Sequence, residues 1–159
     1  MNDRLPPTAM RPLTHGDLER WLALQAYIAD PYDMSSLREE LNLRQSRTLC
    51  FAEAGQLLGA LLAWLVVDEL QIMQVIVVPD ARRRGVARAM VQQVVRRSRA
   101  AGAVTEILEV RAGNEAAIEL YRSMGFAVDG QRTGYYPDGE DALLMRRDLG
   151  RPDGRSDRR

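Results

Sequence analysis

The spacing of apolar residues divides the chain into extended and helical segments. Three apolar runs at residues 48–54, 56–67 and 69–78 are separated by a glycine turn and by Asp68, which predicts an antiparallel meander. Helical spacing predicts helices at 14–29, 35–43, 85–102 and 114–124, and shorter extended runs predict strands at 10–13, 104–110, 126–136 and 140–149. The predicted order is β-α-α-β-β-β-α-β-α-β-β, which indicates a single-domain α/β fold with a mixed, mostly antiparallel sheet flanked by helices.

Several residues mark the ends of these elements. Thr14 is predicted to be the N-cap of the first helix, and Ser35 or Ser36 that of the second. Gly102 and Gly125 follow the third and fourth predicted helices, as expected of C-terminal glycines. Residues 1–9 and 150–159 are polar, so we expect a flexible N-terminus and a disordered tail around a domain at 10–149.

The composition is typical of a globular protein in the cytoplasm. The chain has 159 residues, of which 46% are hydrophobic and 28% charged. Its longest nearly continuous apolar run covers 11 residues, 57–67, whereas a membrane-spanning helix needs about 20. The N-terminal segment has no apolar core of the kind that signal peptides carry. We therefore expect a cytoplasmic protein that does not engage a membrane.

Cysteine and histidine are too scarce for a disulfide or a zinc site. Cys50 is the single cysteine and His15 the single histidine in the sequence. An internal disulfide is excluded, and no Cys/His metal set can be assembled. We expect Cys50 to be a small buried thiol, and we expect no bound metal.

The distribution of charge is more informative than its total. The formal net charge is zero, which argues against a generally basic nucleic-acid-binding protein. Every basic residue is an arginine, so a Walker A phosphate loop, which requires lysine, is excluded. Seven arginines and no acidic residue lie between Ala81 and Thr105. Positive potential is therefore concentrated in one segment.

Four of these arginines lie in "PDARRRGVARAM" at 79–90, which follows a predicted strand and leads into a predicted helix. A glycine-containing loop before a helix N-terminus presents backbone N–H groups and the positive end of the helix dipole, a geometry that suits a pyrophosphate. Gly85 and Ala87 would let the backbone approach such a ligand. The alternative is a solvated basic turn, which accounts for the arginines but not for the two small residues. The absence of G-x-G-x-x-G excludes a Rossmann fingerprint.

The pattern Arg82-x-x-Gly85-x-Ala87 resembles the acetyl-CoA loop of the GCN5-related N-acetyltransferases. The segments 108–126 and 135–145 resemble the bacterial ribosomal-protein-alanine N-acetyltransferases of that family, and the likeness covers about 48–147. It implies that acetyl-CoA is the cosubstrate. The cofactor-binding residues that it implies are Val75, Ile76 and Val77 on the strand, Arg82, Arg83, Arg84, Gly85, Val86, Ala87 and Arg88 in the loop, and Asn114 and Tyr121 further along. Asn114 is also a candidate helix N-cap.

The same resemblance implies the catalytic pair. Glu109 matches the general base and Tyr121 the general acid that protonates the departing thiolate. The residue types suit the reaction, because acetyl transfer needs a neutral amine and a proton for the leaving sulfur. Without the resemblance, Glu109 reads as an exposed strand residue and Tyr121 as an aromatic residue of the core.

The acceptor implied by the resemblance is a protein N-terminal α-amine, with alanine first and a ribosomal protein as the leading candidate. Tyr32, Tyr135 and Tyr136 match positions that line the acceptor site. The related proteins usually carry an aromatic-Pro-Trp sequence between the first two helices, whereas this chain has "ADPYDMSS" without tryptophan.

Other interpretations stay open. A small amine, such as a polyamine or an amino sugar, or a protein lysine could be the acceptor, with four carboxylates as candidates for a polyamine site: Asp30, Asp33, Glu39 and Glu40. A binding protein without turnover would retain the fold but would not need Glu109 and Tyr121. A nucleic-acid-binding module would use the arginines between 82 and 99 as a phosphate-contacting face, although the predicted partners include no nucleic acid.

Overall fold

The computed structural model of the chain describes residues 8–151. The predicted order of strands and helices is confirmed. The strands are β1 (Thr8–Arg11), β2 (Ser46–Glu53), β3 (Gln56–Val66), β4 (Glu69–Val77), β5 (Thr105–Arg111), β6 (Ala127–Arg132) and β7 (Ala142–Asp148). The helices are α1 (Leu18–Leu24), α2 (Met34–Asn42), α3 (Val86–Ala100) and α4 (Glu115–Ser123). The flexible ends expected at 1–9 and 150–159 lie largely outside the described residues.

The strands form one seven-stranded sheet in the order β1-β2-β3-β4-β5-β7-β6. β1 with β2, β2 with β3, β5 with β7 and β6 with β7 pair antiparallel. β4 and β5 are parallel, in register from Glu69 opposite Thr105 to Ile72 opposite Leu108. The sheet is therefore mixed and mostly antiparallel, as predicted.

The chain divides into two compact units, each with buried apolar side chains. The first unit comprises residues up to Trp64 together with Gln74–Val94. Its core contains Trp21, Leu37 and Cys50, none of which has accessible surface. Burial raises the pKa of the Cys50 thiol, as expected for an apolar setting. The buried thiol predicted from the sequence is confirmed.

The second unit comprises Leu65–Met73 together with the residues from Val95 onward. Its buried apolar residues include Leu70, Leu108 and Met145. Thr105, Glu106, Leu108 and Val110 are buried along β5, whereas Ile107, Glu109 and Arg111 are only partly buried. Beyond Thr105 the strand therefore has one inward and one partly exposed face, which is the alternation that a half-buried strand requires.

A buried carboxylate fixes the start of the first helix. Asp17 accepts hydrogen bonds from Arg11 and Arg20 and from the backbone N–H and hydroxyl of Thr14. Bonds to the ionised form hold the pKa of Asp17 well below its usual range. Arg20 also donates to the Gly55 carbonyl. The ends of β1, α1 and the β2–β3 turn are thereby linked.

Several predicted boundaries are wrong. The first strand, predicted at 10–13, is Thr8–Arg11. The helix predicted at 14–29 is a seven-residue α-helix between two short 3₁₀ turns, His15–Asp17 and Gln25–Tyr27. The second helix begins at Met34 with Asp33 as its N-cap, because the Asp33 carboxylate accepts the Ser36 N–H. Strand β6 ends at Arg132 rather than at 136, and a turn with Gly134 at φ +62° follows.

Candidate functional site

The loop predicted to bind phosphates joins β4 to α3 through a 3₁₀ turn at Pro79–Ala81. Arg83 and Gly85 have φ of +62° and +79°, in the left-handed region. A Cβ atom at Gly85 would have no neighbour within 4 Å, so glycine is needed there for its backbone conformation and not for want of space. The first backbone bond of α3 runs from the Ala89 N–H to the Gly85 carbonyl. The amides of Val86 and Ala87 precede it, in the turn where helix N–H groups have no intrahelical partner.

The loop arginines differ in what they contact. Arg82 Nε donates to the Val77 carbonyl at 3.1 Å, which ties the loop to the end of β4. Arg84 Nη2 lies 2.7 Å from Glu53 Oε2 and is paired with it. Arg83 is exposed, whereas the Val86 side chain is buried, so that Val86 can offer a ligand only its backbone. The sequence did not distinguish these roles.

The end of β4, predicted to align with the cofactor, is held closely against β3. The Ile76 side chain is buried, whereas Val75 and Val77 are partly exposed. A Cβ atom at Gly59 would lie 3.0 Å from the Ile76 carbonyl oxygen, so this close approach of β3 depends on glycine. Gly59 was not singled out from the sequence, because nothing local marks it.

Glu109, the predicted base, is on the partly exposed face of β5. Its side chain is 30% exposed and lies 3.3 Å from Arg132 Nε. The hydroxyl of Tyr135 hydrogen-bonds to Glu109, which raises the pKa of that tyrosine. The Arg132 guanidinium also lies 5.5 Å from the centre of the Tyr135 ring. The structure therefore brings the predicted base and one predicted acceptor-site tyrosine together, and it adds Arg132, which the sequence analysis missed.

A second arginine anchors the loop at 133–141. Arg111 pairs with Asp138 at 2.8 Å and with Glu140 at 3.0 Å, and its guanidinium lies 4.0 Å from the centre of the Tyr136 ring. The Tyr136 N–H donates to the Glu140 carbonyl. The Glu140 carboxylate also accepts the Gly113 N–H. Arg111 was missed because its partners are almost thirty residues away, although the acids in "PDGED" were a visible signal.

Asn114 is the N-cap of α4, since its side-chain oxygen accepts the Ala117 N–H at 3.2 Å. This confirms the structural interpretation of that residue. Its contact with a cofactor stays a prediction.

Tyr121, the predicted acid, lies in the interior of the second unit with 8% of its surface exposed. Its ring meets Phe126 edge to face, with centroids 5.5 Å apart. Burial, reinforced by the negative charge of Glu106, raises the pKa of Tyr121 to about 12. The hydroxyl is therefore protonated throughout the neutral range, as a proton donor must be.

Glu106 was not expected to matter. It has no exposed surface, and its Oε2 accepts bonds from Arg147 while Oε1 has no partner. Burial raises the pKa of Glu106 to about 7 despite the opposing effect of Arg147. Arg147 also donates to the Met124 carbonyl and lies over the Phe126 ring. This cluster supports the turn that follows Tyr121.

Tyr32 lies in the segment between the Gln25–Tyr27 turn and α2. It is partly buried against the core of the first unit, and burial raises its pKa. Its backbone N–H donates to Gln25 Oε1 at 2.9 Å.

Within residues 8–151, no three histidine, cysteine or acidic side chains are grouped so as to hold a metal ion. The helices in that range include none with the length and apolar character needed to cross a membrane.

Comparison with known proteins gives consistent results. Residues 16–126 match the acetyltransferase (GNAT) family. The chain is 39% identical to the ribosomal protein bS18-alanine N-acetyltransferase of Escherichia coli K12 over 94 residues, which cover 57% of this chain and 64% of that protein. It is 32% identical to the N-alpha-acetyltransferase RimI of Mycobacterium tuberculosis over 154 residues, 92% of this chain and 96% of that one.

A solved structure is similar over most of its length. The crystal structure of the ribosomal-protein-S18-alanine N-acetyltransferase from Escherichia coli aligns with a TM-score of 0.84 and 28% identity, covering 90% of this chain and 94% of that one. Since the family match covers well over half of the sequence, the chain belongs to the acetyltransferase (GNAT) family.

The buried Glu106 leads to a prediction about stability. Its pKa in the folded chain, about 7, is above the ordinary value of 4.5, so the folded state holds this proton more tightly than the unfolded state does. Its contribution is therefore fully present below about pH 4.5 and is lost as the pH rises through 7. We expect wild type to lose up to about 3 kcal/mol more stability across this window than Glu106→Gln. Urea unfolding at several pH values measures this difference.

The matched control is Glu119→Gln, since Glu119 is exposed on α4. The free energy of unfolding of this variant should depend on pH as that of wild type does. If the free energies of unfolding of wild type and Glu106→Gln change in parallel with pH, burial does not raise the proton affinity of Glu106.

Proposed function

We propose that this chain transfers the acetyl group of acetyl-CoA to the N-terminal α-amine of a protein, with Glu109 as proton acceptor and Tyr121 as proton donor. The main support for the proposal is the environment of the Glu109 carboxylate. This carboxylate is partly exposed, is held by Arg132 and Tyr135, and lies on the strand that leads into the anchored "RAGN" segment. A structural carboxylate of the core, such as Glu106, has no such exposure.

The loop at 82–88 has features that fit the pyrophosphate of coenzyme A. Gly85 and Arg83 hold a left-handed turn ahead of α3, whose first amides and positive dipole end attract anions. The open space beside Gly85 leaves room for a ligand. When bound, acetyl-CoA would supply the activated thioester. We assign binding of its phosphates mainly to the backbone of 83–87 and to Arg83, because Arg82 and Arg84 already contact Val77 and Glu53.

The chemistry of Glu109 favours an α-amine over a lysine side chain. An acceptor amine must lose a proton before or during attack, and an α-amine has an ordinary pKa of about 7.8 against about 10.4 for lysine. Deprotonating lysine at neutral pH costs about 3.5 kcal/mol more. A single carboxylate, acting directly or through water, accomplishes the first task far more readily.

Tyr121 is suited to give a proton to the leaving sulfur. The hydroxyl is protonated at neutral pH and can therefore supply that proton, while its raised pKa makes it a weaker acid than a solvent-exposed tyrosine. The packing of Phe126 against its ring, with Arg147 over Phe126, restricts where that hydroxyl can lie.

The acceptor is proposed to be a peptide N-terminus, with alanine in the first position. The relatives from Escherichia coli and Mycobacterium tuberculosis are named as alanine and N-alpha-acetyltransferases, which makes ribosomal protein bS18 the leading candidate. The loop with Tyr135 and Tyr136 supports this assignment, because Glu109 and Arg111 hold it in place beside the proposed base. A loop that is held in one position suits the recognition of an extended peptide.

The contacts of two candidate carboxylates weaken the proposal that the acceptor is a small amine. Glu40 is buried and accepts bonds from Trp64 Nε1 and the Ser46 hydroxyl. Asp33 caps α2. Two of the four candidate carboxylates for a polyamine site are therefore used within the fold.

The cofactor assignment predicts the effect of Gly85→Ala. Alanine at φ +79° is strained, so we expect the loop to change shape and the dissociation constant of acetyl-CoA to rise about tenfold. The matched control is Gly102→Ala, at φ +102° with equally open surroundings. It should cost similar stability but leave cofactor affinity unchanged. Equal affinities in the two variants, measured by titration calorimetry, would remove the loop from the cofactor site.

The acceptor assignment predicts the outcome of a peptide panel. Peptides beginning with Ala, Ser, Gly or Met are incubated with acetyl-CoA and the chain, beside α-blocked lysine peptides and spermidine. We expect mass spectrometry to show the fastest acetylation on the free N-terminal alanine. Faster modification of blocked lysine or spermidine than of every free N-terminus would replace the α-amine assignment with a side-chain or small-amine acceptor.

A further inference from the structure

Two glutamine side chains in the first unit exchange a pair of hydrogen bonds. Gln25 Nε2 donates to Gln74 Oε1 at 2.9 Å, and Gln74 Nε2 donates to Gln25 Oε1 at 3.0 Å. The two residues are separated by 49 positions in the sequence. Gln25 is in the 3₁₀ turn after α1, and Gln74 is on β4. The pair therefore joins the end of the first helical segment to that strand.

The same Gln25 oxygen also accepts the backbone N–H of Tyr32 at 2.9 Å. Gln25 is only 3% exposed, so its amide has little access to water and depends on these partners. Leaving a buried amide or backbone N–H without a partner is costly, which makes the three-group arrangement selective for one geometry. Gln25 thereby sets the position of Tyr32 relative to Gln74.

The position of Gln74 in the strand matters because Val75, Ile76 and Val77 follow it directly. Those residues are the part of β4 assigned above to the cofactor. The segment carrying Tyr32 is the one that the family resemblance predicts to line the acceptor site. The amide pair is thus a link, within one unit, between an acceptor-side segment and a cofactor-side strand.

We propose that Gln25 and Gln74 are positioning residues that hold the Tyr32 segment in register with β4 and so determine how well the acceptor binds. This inference rests on the proposed acetyl transfer. Gln25 has the larger part, because it contacts both Gln74 and the Tyr32 backbone, whereas Gln74 contacts only Gln25 among the bonds described above.

The test uses the full chain with Gln25→Met and Gln74→Met, which keep length and volume but remove the amide. We expect Gln25→Met to raise the KM for the acceptor about tenfold and Gln74→Met about threefold, since the second change leaves the Tyr32 bond in place. The KM and dissociation constant for acetyl-CoA should change less than twofold. The double variant should match Gln25→Met rather than the product of the two effects.

The control is Gln71→Met. Gln71 is the same residue type on the same strand and donates to Glu69 rather than to the Tyr32 segment. It should leave the acceptor KM at the wild-type value. Hydrogen exchange at the Tyr32 amide provides a readout independent of activity, and we expect it to be faster in Gln25→Met than in the control.

The outcomes distinguish a failure of the positioning role from a failure of the proposed acetyl transfer to an α-amine. Kinetics use whichever acceptor the wild-type panel selects, so an error in the α-amine assignment appears in that panel and not in the variants. An unchanged acceptor KM in Gln25→Met, or an equal rise in the KM for acetyl-CoA, would overturn the positioning role. If Gln25→Met does not fold, Gln74→Met carries the same comparison, because Gln74 is only partly buried.

Discussion

The two-residue period of strand β5 decides which of its carboxylates is available for chemistry. Glu106 and Glu109 are three positions apart, so their side chains point to opposite faces of the sheet. Glu106 enters the interior, where burial raises its pKa and Arg147 is its partner. Glu109 stays partly exposed beside Arg132 and Tyr135. A one-residue shift in the register of this strand would exchange the two environments, and the proposed base would be lost.

The order of the elements could be predicted from the sequence because the apolar periodicity is strong in each segment. The ends of the elements were harder to predict where several neighbouring residues could serve as the same cap. Asp33, Ser35 and Ser36 are all good N-cap residues, and only the folded backbone shows that Asp33 is used. The strand predicted through Tyr136 ends at Arg132, because Gly134 takes a left-handed conformation that a continuous strand does not allow.

The candidate site was predictable to the extent that local motifs carry it. The loop around Gly85 and the carboxylate of Glu109 are visible in short segments. The residues that hold the neighbouring segments in place are not, since Arg111, Gln25 and Glu106 have partners that are 27 to 49 positions away. No local pattern marks a pairing over that distance. The loop arginines show a different limit, because three adjacent arginines look equivalent in sequence. In the fold Arg82 contacts the Val77 carbonyl and Arg84 contacts Glu53.

The central claim is that Glu109 takes the proton of the acceptor amine, and the pH dependence of kcat/KM in Glu109→Gln tests it most directly. The variant should be about a hundredfold slower than wild type at pH 7, and this ratio should narrow above about pH 8, where an α-amine loses its proton unaided. Affinity for acetyl-CoA should stay at the wild-type value, and Glu119→Gln should behave as wild type at every pH. A ratio that is constant with pH, or wild-type activity in Glu109→Gln, would show that another group accepts the proton.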